Sequence, residues 1–360
     1  MEQLITPTTK TTYTFIDSMR FISMIGIVME HCGNFYGIFY PTMLQRLTVI
    51  GNIQIYKFGT IIFFLLSGFL IGDKIKTTTA KDYMAKRFSN TIKPWLFWVF
   101  LYILLSYVTS AIIYFKFHPS DFWQTPTLPI TYQLKNTLLF TNYWFILNFM
   151  ICLGMLLAFR KYLDSYYFGG ILLLLSLFYS VNLYFNWIET SHTTAVVGFV
   201  FYLWLGYQLH RHYDAFKNWV NSLSGWILTL ALLVTLAIAI AESYHLLRLG
   251  STDGFNTLRA SNILYSLVAF VALFKYSKYF NVSVFKPRHT TYGIYLIHQL
   301  IIFHFLPLIF YPLGYHDDIN NVPQIIGMQL IRFVMVYGVS YGLTLLLTYA
   351  PKRISWIVGQ

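Results

Sequence analysis

Long stretches of this chain carry almost nothing that water would solvate. "IIFFLLSGFLIG" (61–72), "GILLLLSLFYSVNLYF" (170–185) and "SGWILTLALLVTLAIAIA" (224–241) are three of them. Extended through their flanks to about 20 residues, such runs read as membrane-spanning helices. Charged residues make up only 11% of the chain, against about a quarter in a soluble domain. A transmembrane barrel would show alternating segments of about ten residues, and the sequence has none. The expected fold class is therefore all-α: a polytopic membrane helical bundle, forming one integral membrane domain over residues 1–360.

Ten spans are predicted, at roughly 15–39, 54–72, 94–116, 137–158, 167–185, 193–209, 224–241, 260–274, 290–311 and 325–349. Their orientation follows from Lys and Arg. The loop after the second span holds Lys74, Lys76, Lys81, Lys86, Arg87 and Lys93. Basic residues also follow the fourth span (Arg160, Lys161), the sixth (Arg211, Lys217), the eighth (Lys275, Lys278, Lys286, Arg288) and the tenth (Lys352, Arg353). Loops after odd-numbered spans are poor in Lys and Arg and carry Asp121, Asp317 and Asp318. The positive-inside rule then makes both termini cytoplasmic. The formal net charge of +12 reflects this topology; no compact basic, aromatic-interleaved patch points to nucleic acid. Cys32 and Cys152 both fall within apolar spans, so no disulfide framework is expected. No cleavable signal peptide is expected either, because the first apolar run has no small-residue cleavage site after it.

The first span, "MRFISMIGIVMEHCG" (19–33), breaks the apolar rule with Arg20, Glu30 and His31. Arg20 and His31 are eleven residues apart, three helical turns plus about 20°, so both point to one face, separated by a rise of about 16 Å. Glu30 is about 100° round the helix and need not share that face. A charge at mid-membrane costs about 2.5–3.5 kcal/mol or more, so such groups usually face a cavity or a partner. Simpler accounts exist. Arg20 is near enough to the surface to snorkel or to pair with Asp17, and a neutral His31 satisfies itself with one interhelical hydrogen bond.

Arg, ten residues, then His on the first span resembles the signature of the acyltransferase-3 family. Further segments agree in order: "FFLLSGFLI" (Phe63–Ile71), "KRFSNTIKPWLFW" (Lys86–Trp98), "NYWFILNF" (Asn142–Phe149) and "TYGIYLIH" (Thr291–His298). The resemblance implies a ten-span enzyme, typically bacterial. It would move an acyl group, usually acetyl, from cytoplasmic acyl-coenzyme A to a hydroxyl of a cell-surface or lipid-linked glycan. It also implies an essential first-span histidine, here His31, and nearby basic residues for the coenzyme. One departure stands out: the family's basic loop often reads Arg-x-x-Arg, whereas Arg87 is followed three residues later by Asn90.

Chemistry fits this reading. Coenzyme phosphates need Arg or Lys, and Arg20, Lys86, Arg87 and Lys93 crowd the expected cytoplasmic mouth. Acyl transfer to a hydroxyl needs a base near neutral pKa, which His supplies. His31 is read as that base; an acyl-histidine intermediate is the alternative, and the sequence does not separate them. Asp17, Glu30, His298 and Arg332 are candidate supporting groups. His298 is read as bonding a neighbouring helix, because its depth does not match His31, and Arg332 as neutralising Glu30 or meeting an acidic sugar. Cys32, about 100° from His31, is read as a core residue, and Ser67-Gly68 as a close helix contact. Trp123 and Tyr132 are weak candidates for stacking on a sugar. No cluster at metal-ligand spacing and no bound cofactor is expected; acyl-coenzyme A enters as co-substrate. Two rivals follow from other classes: a glycan or small-molecule transporter, and a non-catalytic subunit of a biosynthetic complex.

Overall fold

A computed structural model describes residues 13–33, 40–72, 74–75, 77–117, 129–310, 312–313 and 321–360. Every regular element among them is a helix. In chain order these are α1 (Thr14–His31), α2 (Met43–Gln54), α3 (Gly59–Gly72), α4 (Ala80–Arg87), α5 (Lys93–Phe117), α6 (Ile130–Phe140), α7 (Trp144–Ala158) and α8 (Tyr166–Phe185). They continue with α9 (Val200–Arg211), α10 (Tyr213–Ser222), α11 (Gly225–Arg248), α12 (Ala260–Tyr276), α13 (Pro287–Leu300), α14 (Leu306–Phe310), α15 (Val322–Thr348) and α16 (Lys352–Ser355). Short π-helical turns join α4 to α5 (Phe88–Ile92) and α13 to α14 (Ile301–Phe305).

The chain is a multi-pass helical membrane protein, but fewer than ten of its helices qualify as spans on length and apolarity. Seven are long and apolar enough among the described residues, and eight if α6 and α7, bent by 71° at their junction, form one broken span. The other two predicted spans fall on α1, which carries Asp17, Arg20 and Glu30 within eighteen residues, and on α9, which is twelve residues long. Most predicted boundaries lie within a few residues of the helix ends. The first span is shorter than expected, ending at His31, and the second starts earlier, at Met43.

Packing places α1 at the centre, against α2, α3, α12, α13 and α15. Between α2 and α3 the helix is interrupted over residues 55–58, and this break carries Lys57 into the interior. The most extensive contact between two helices is that of α3 with α9. A Cβ at Gly68 would lie 2.0 Å from the Leu203 carbonyl oxygen, and one at Gly206 2.1 Å from that of Leu65. The two glycines thus let the backbones meet reciprocally, the small-residue packing that membrane helices favour. Gly68→Leu and Gly206→Val are each expected to destabilise the protein by about 1–3 kcal/mol or more through overpacking against backbone. Thermal unfolding in detergent measures this; wild-type transition temperatures in both would refute the contact.

Candidate active site

The face of α1 that begins at Arg20 continues through Met24 and Ile27 to Glu30 and His31, and all five line one cavity of about 380 Å³. At the end where α1 starts, Arg20, Arg87 and Arg288 stand around the opening, with Asn90 and Thr91 from the π-helical turn. Arg288 Nε lies 3.0 and 2.9 Å from the two Asp17 carboxylate oxygens, and Arg20 Nη1 lies 3.6 Å from one of them. Arg87 donates to the Tyr83 hydroxyl from Nε and Nη2 at 3.1 and 2.9 Å. Three guanidiniums face one carboxylate there, so the mouth is electropositive.

Met24, Ile27, Phe63, Phe145 and Phe149 give the cavity an apolar lining. Asn142 adds a polar group to this wall. Its Nδ2 donates to the Tyr295 carbonyl oxygen at 2.7 Å, while its buried Oδ1 has no partner among the described residues.

At the deep end, His31 Nδ1 lies 3.0 Å from His298 Nε2, and His298 Nδ1 lies 3.0 Å from the Ile294 carbonyl oxygen. A carbonyl only accepts, so His298 carries its hydrogen on Nδ1. With both rings neutral, the bare His298 Nε2 accepts from His31 Nδ1–H, which leaves His31 Nε2 with a free lone pair. Beside this relay, Lys57 Nζ donates to Glu30 Oε1 at 2.5 Å, both side chains being less than a tenth exposed.

His192 reaches the same cavity from the segment between α8 and α9. Its Nδ1 is 2.5 Å from Asp253 Oδ2, which also accepts from the His192 backbone N–H and from Asn256 Nδ2, both at 3.0 Å. Asn256 also donates to the Thr190 carbonyl oxygen at 2.7 Å, tying the two loops together. Burial opposes ionisation of Asp253, but its bonds to His192 outweigh that and draw the carboxyl down to about 2.

A second cavity, of about 260 Å³, is lined by His31, Cys32, Ile302, Phe303, Leu306, Pro307, Phe310 and Arg332. His31 is common to both.

The acyltransferase-3 family, an acyltransferase domain, matches residues 13–351. The chain belongs to this family. It is a membrane acyltransferase, and no curated protein or solved structure matches it.

Several sequence expectations need correcting for this acyltransferase. His298 does share the depth of His31. The expected mismatch counted depth from the predicted span starts at residues 15 and 290, but the Asp17–Arg288 ion pair sets Arg288 level with Asp17, three residues into α1, which brings the two histidines closer in depth. The offset left between His31 and His298 is four residues, about 6 Å of rise, which helix tilt and two imidazole rings bridge. Glu30 faces the same cavity as His31, and its partner is Lys57, not Arg332. The Arg332 guanidinium lies 5.9 Å from the Phe310 ring centre. Lys86 is exposed and does not line the cavity; neither does Lys93, whose ammonium lies 4.8 Å over the Trp356 ring. Arg288 stands at the mouth instead. Cys32 is buried, as a core residue should be, and Tyr132 is an exposed residue of α6. Trp123, Asp121, Asp317 and Asp318 lie outside the described residues.

Sequence reasoning missed Lys57, Arg288, Asn142 and the His192–Asp253 pair. Lys57 left a signal, a lone charge inside the predicted second span. The pair left none, since its members are 61 residues apart in different loops.

Proposed function

We propose that this protein is an O-acyltransferase of a bacterial cytoplasmic membrane, moving an acetyl or longer acyl group from cytosolic acyl-coenzyme A to a hydroxyl of a cell-surface or lipid-linked glycan. The observation that carries the reading is the position of His31: it closes a cavity with an arginine mouth, borders a second cavity, and keeps one ring nitrogen free. The basic end would face the cytosol. Arg20, Arg87 and Arg288 suit the coenzyme's phosphates, and Arg288 adds a guanidinium that the loop itself, with Asn90 three residues after Arg87, lacks. The long arm would lie along Met24, Ile27 and Phe149, with Asn142 Oδ1 accepting from an amide N–H of the arm. The thioester then meets His31 Nε2. The free lone pair of that nitrogen can take a hydroxyl proton or the acyl group itself.

Incubating membranes with radiolabelled acetyl-coenzyme A tests the reading: label is expected in glycan or lipid. A transporter would leave all label in the coenzyme and free acetate, and that result would overturn the proposal. Arg87→Gln is expected to raise the KM for acetyl-coenzyme A about tenfold or more, the effect of losing a charge-assisted phosphate contact of about 1.5–3 kcal/mol. An unchanged KM would remove Arg87 from the donor site.

A further inference from the structure

We propose that His192, held by Asp253, is the base that activates the acceptor hydroxyl, leaving His31 to carry the acyl group between the two substrates. This inference rests on the acyl-transfer reading above. Three observations lead to it. First, the cavity holds two imidazoles with different support: His31 is backed by a neutral ring and a carbonyl, His192 by a carboxylate. A carboxylate at Nδ1–H fixes the tautomer and stabilises the imidazolium that forms when Nε2 takes a proton, which is the arrangement of a general base. Second, His192 Nε2 has no hydrogen-bond partner among the described residues, and the ring is fixed edge-on against Trp144 with centres 5.0 Å apart. Third, His192 and Thr257 enter the cavity from the two loops tied by Asn256, which are separate from the elements that carry the mouth arginines. An acceptor arriving past those loops meets both side chains as it approaches His31.

The steps balance. His31 Nε2 attacks the thioester carbonyl carbon, the C–S bond breaks and the coenzyme leaves as thiolate. The acylated ring gives its Nδ1 proton to His298 Nε2. His192 Nε2 then takes the acceptor's hydroxyl proton, the oxygen attacks the acyl carbon and the C–N bond to His31 breaks. The Nδ1 proton returns from His298, His192 releases its proton to solvent, and the departed thiolate takes up one proton there, so the net products are the ester and the free thiol.

Two rates separate the halves of this sequence in the full-length protein. Exchange of radiolabelled coenzyme A into acetyl-coenzyme A reports the first, and incorporation of labelled acetyl into membrane acceptor reports both. In His192→Ala the ratio of transfer to exchange is expected to fall at least about 100-fold, the lower range for loss of a general base. Added imidazole should restore part of the transfer. Asp253→Asn should lower the ratio similarly, because an amide donating to Nδ1 moves the ring hydrogen to Nε2, and imidazole should not rescue it while the ring fills the site. Exchange absent from wild type would indicate direct transfer and overturn the division of roles. So would His192→Ala keeping the wild-type ratio, whether both rates survive or both fall together. Wild-type membranes that exchange label but acetylate no acceptor would instead overturn the glycan-transfer function.

Discussion

Membranes carrying His31→Ala or His31→Gln are expected to hold the protein at wild-type level and to transfer no measurable acyl group, a loss of at least about 10²–10⁴-fold. The expectation follows from connectivity. His31 Nε2 is the one ring nitrogen in the His31–His298–Ile294 chain that is not already bonded, and neither adjoining side chain can replace it: the Lys57 ammonium is committed to Glu30, and His298 lies behind His31 with both nitrogens in use. Stability should barely change, because His31 ends α1 between two cavities instead of filling the core. His298→Ala is expected to leave residual activity, since it frees the His31 tautomer without removing the reacting nitrogen. Label transfer from acetyl-coenzyme A, scaled to protein quantified in the same membranes, measures all three. Near-wild-type transfer by His31→Ala would end the enzymatic role of this residue.

Lys57→Met is expected to be among the most damaging substitutions to stability. It would leave the Glu30 carboxylate in the bundle interior without its ammonium, and breaking a buried pair this way costs about 3–5 kcal/mol. Replacing both partners, as Glu30→Met with Lys57→Met, should recover most of that loss, because two desolvated charges disappear together. The double variant should nevertheless transfer poorly, since both side chains line the cavity beside His31. Thermal unfolding of the purified proteins in detergent reads the first effect and label transfer the second. A Lys57→Met protein as stable as wild type would mean that the pair contributes nothing to holding α1 against the α2–α3 break.

Much of the architecture was legible because a membrane helix must be apolar along its length and punctuated at its ends. The predicted fifth span, 167–185, meets α8 at Tyr166–Phe185, and the tenth, 325–349, meets α15 at Val322–Thr348. Where the reading slipped, a helix was broken or charged. The α6–α7 bend and the interruption that places Lys57 come from backbone geometry that hydropathy does not register. Ser67-Gly68 was legible as a close contact, but its partner glycine, Gly206, was not.

One face of one helix follows from sequence alone: eleven steps of 100° align Arg20 with His31, and both do line the same cavity. Which groups meet that face is another matter. His298 lies 267 residues from His31 along the chain, Arg288 lies 271 from Asp17, and Asp253 lies 61 from His192. Helical periodicity sets directions within a single helix, so it is written into local spacing. The meeting of two helices depends on their tilt, their starting levels and the close approach their glycines permit, and only the packed tertiary structure decides those.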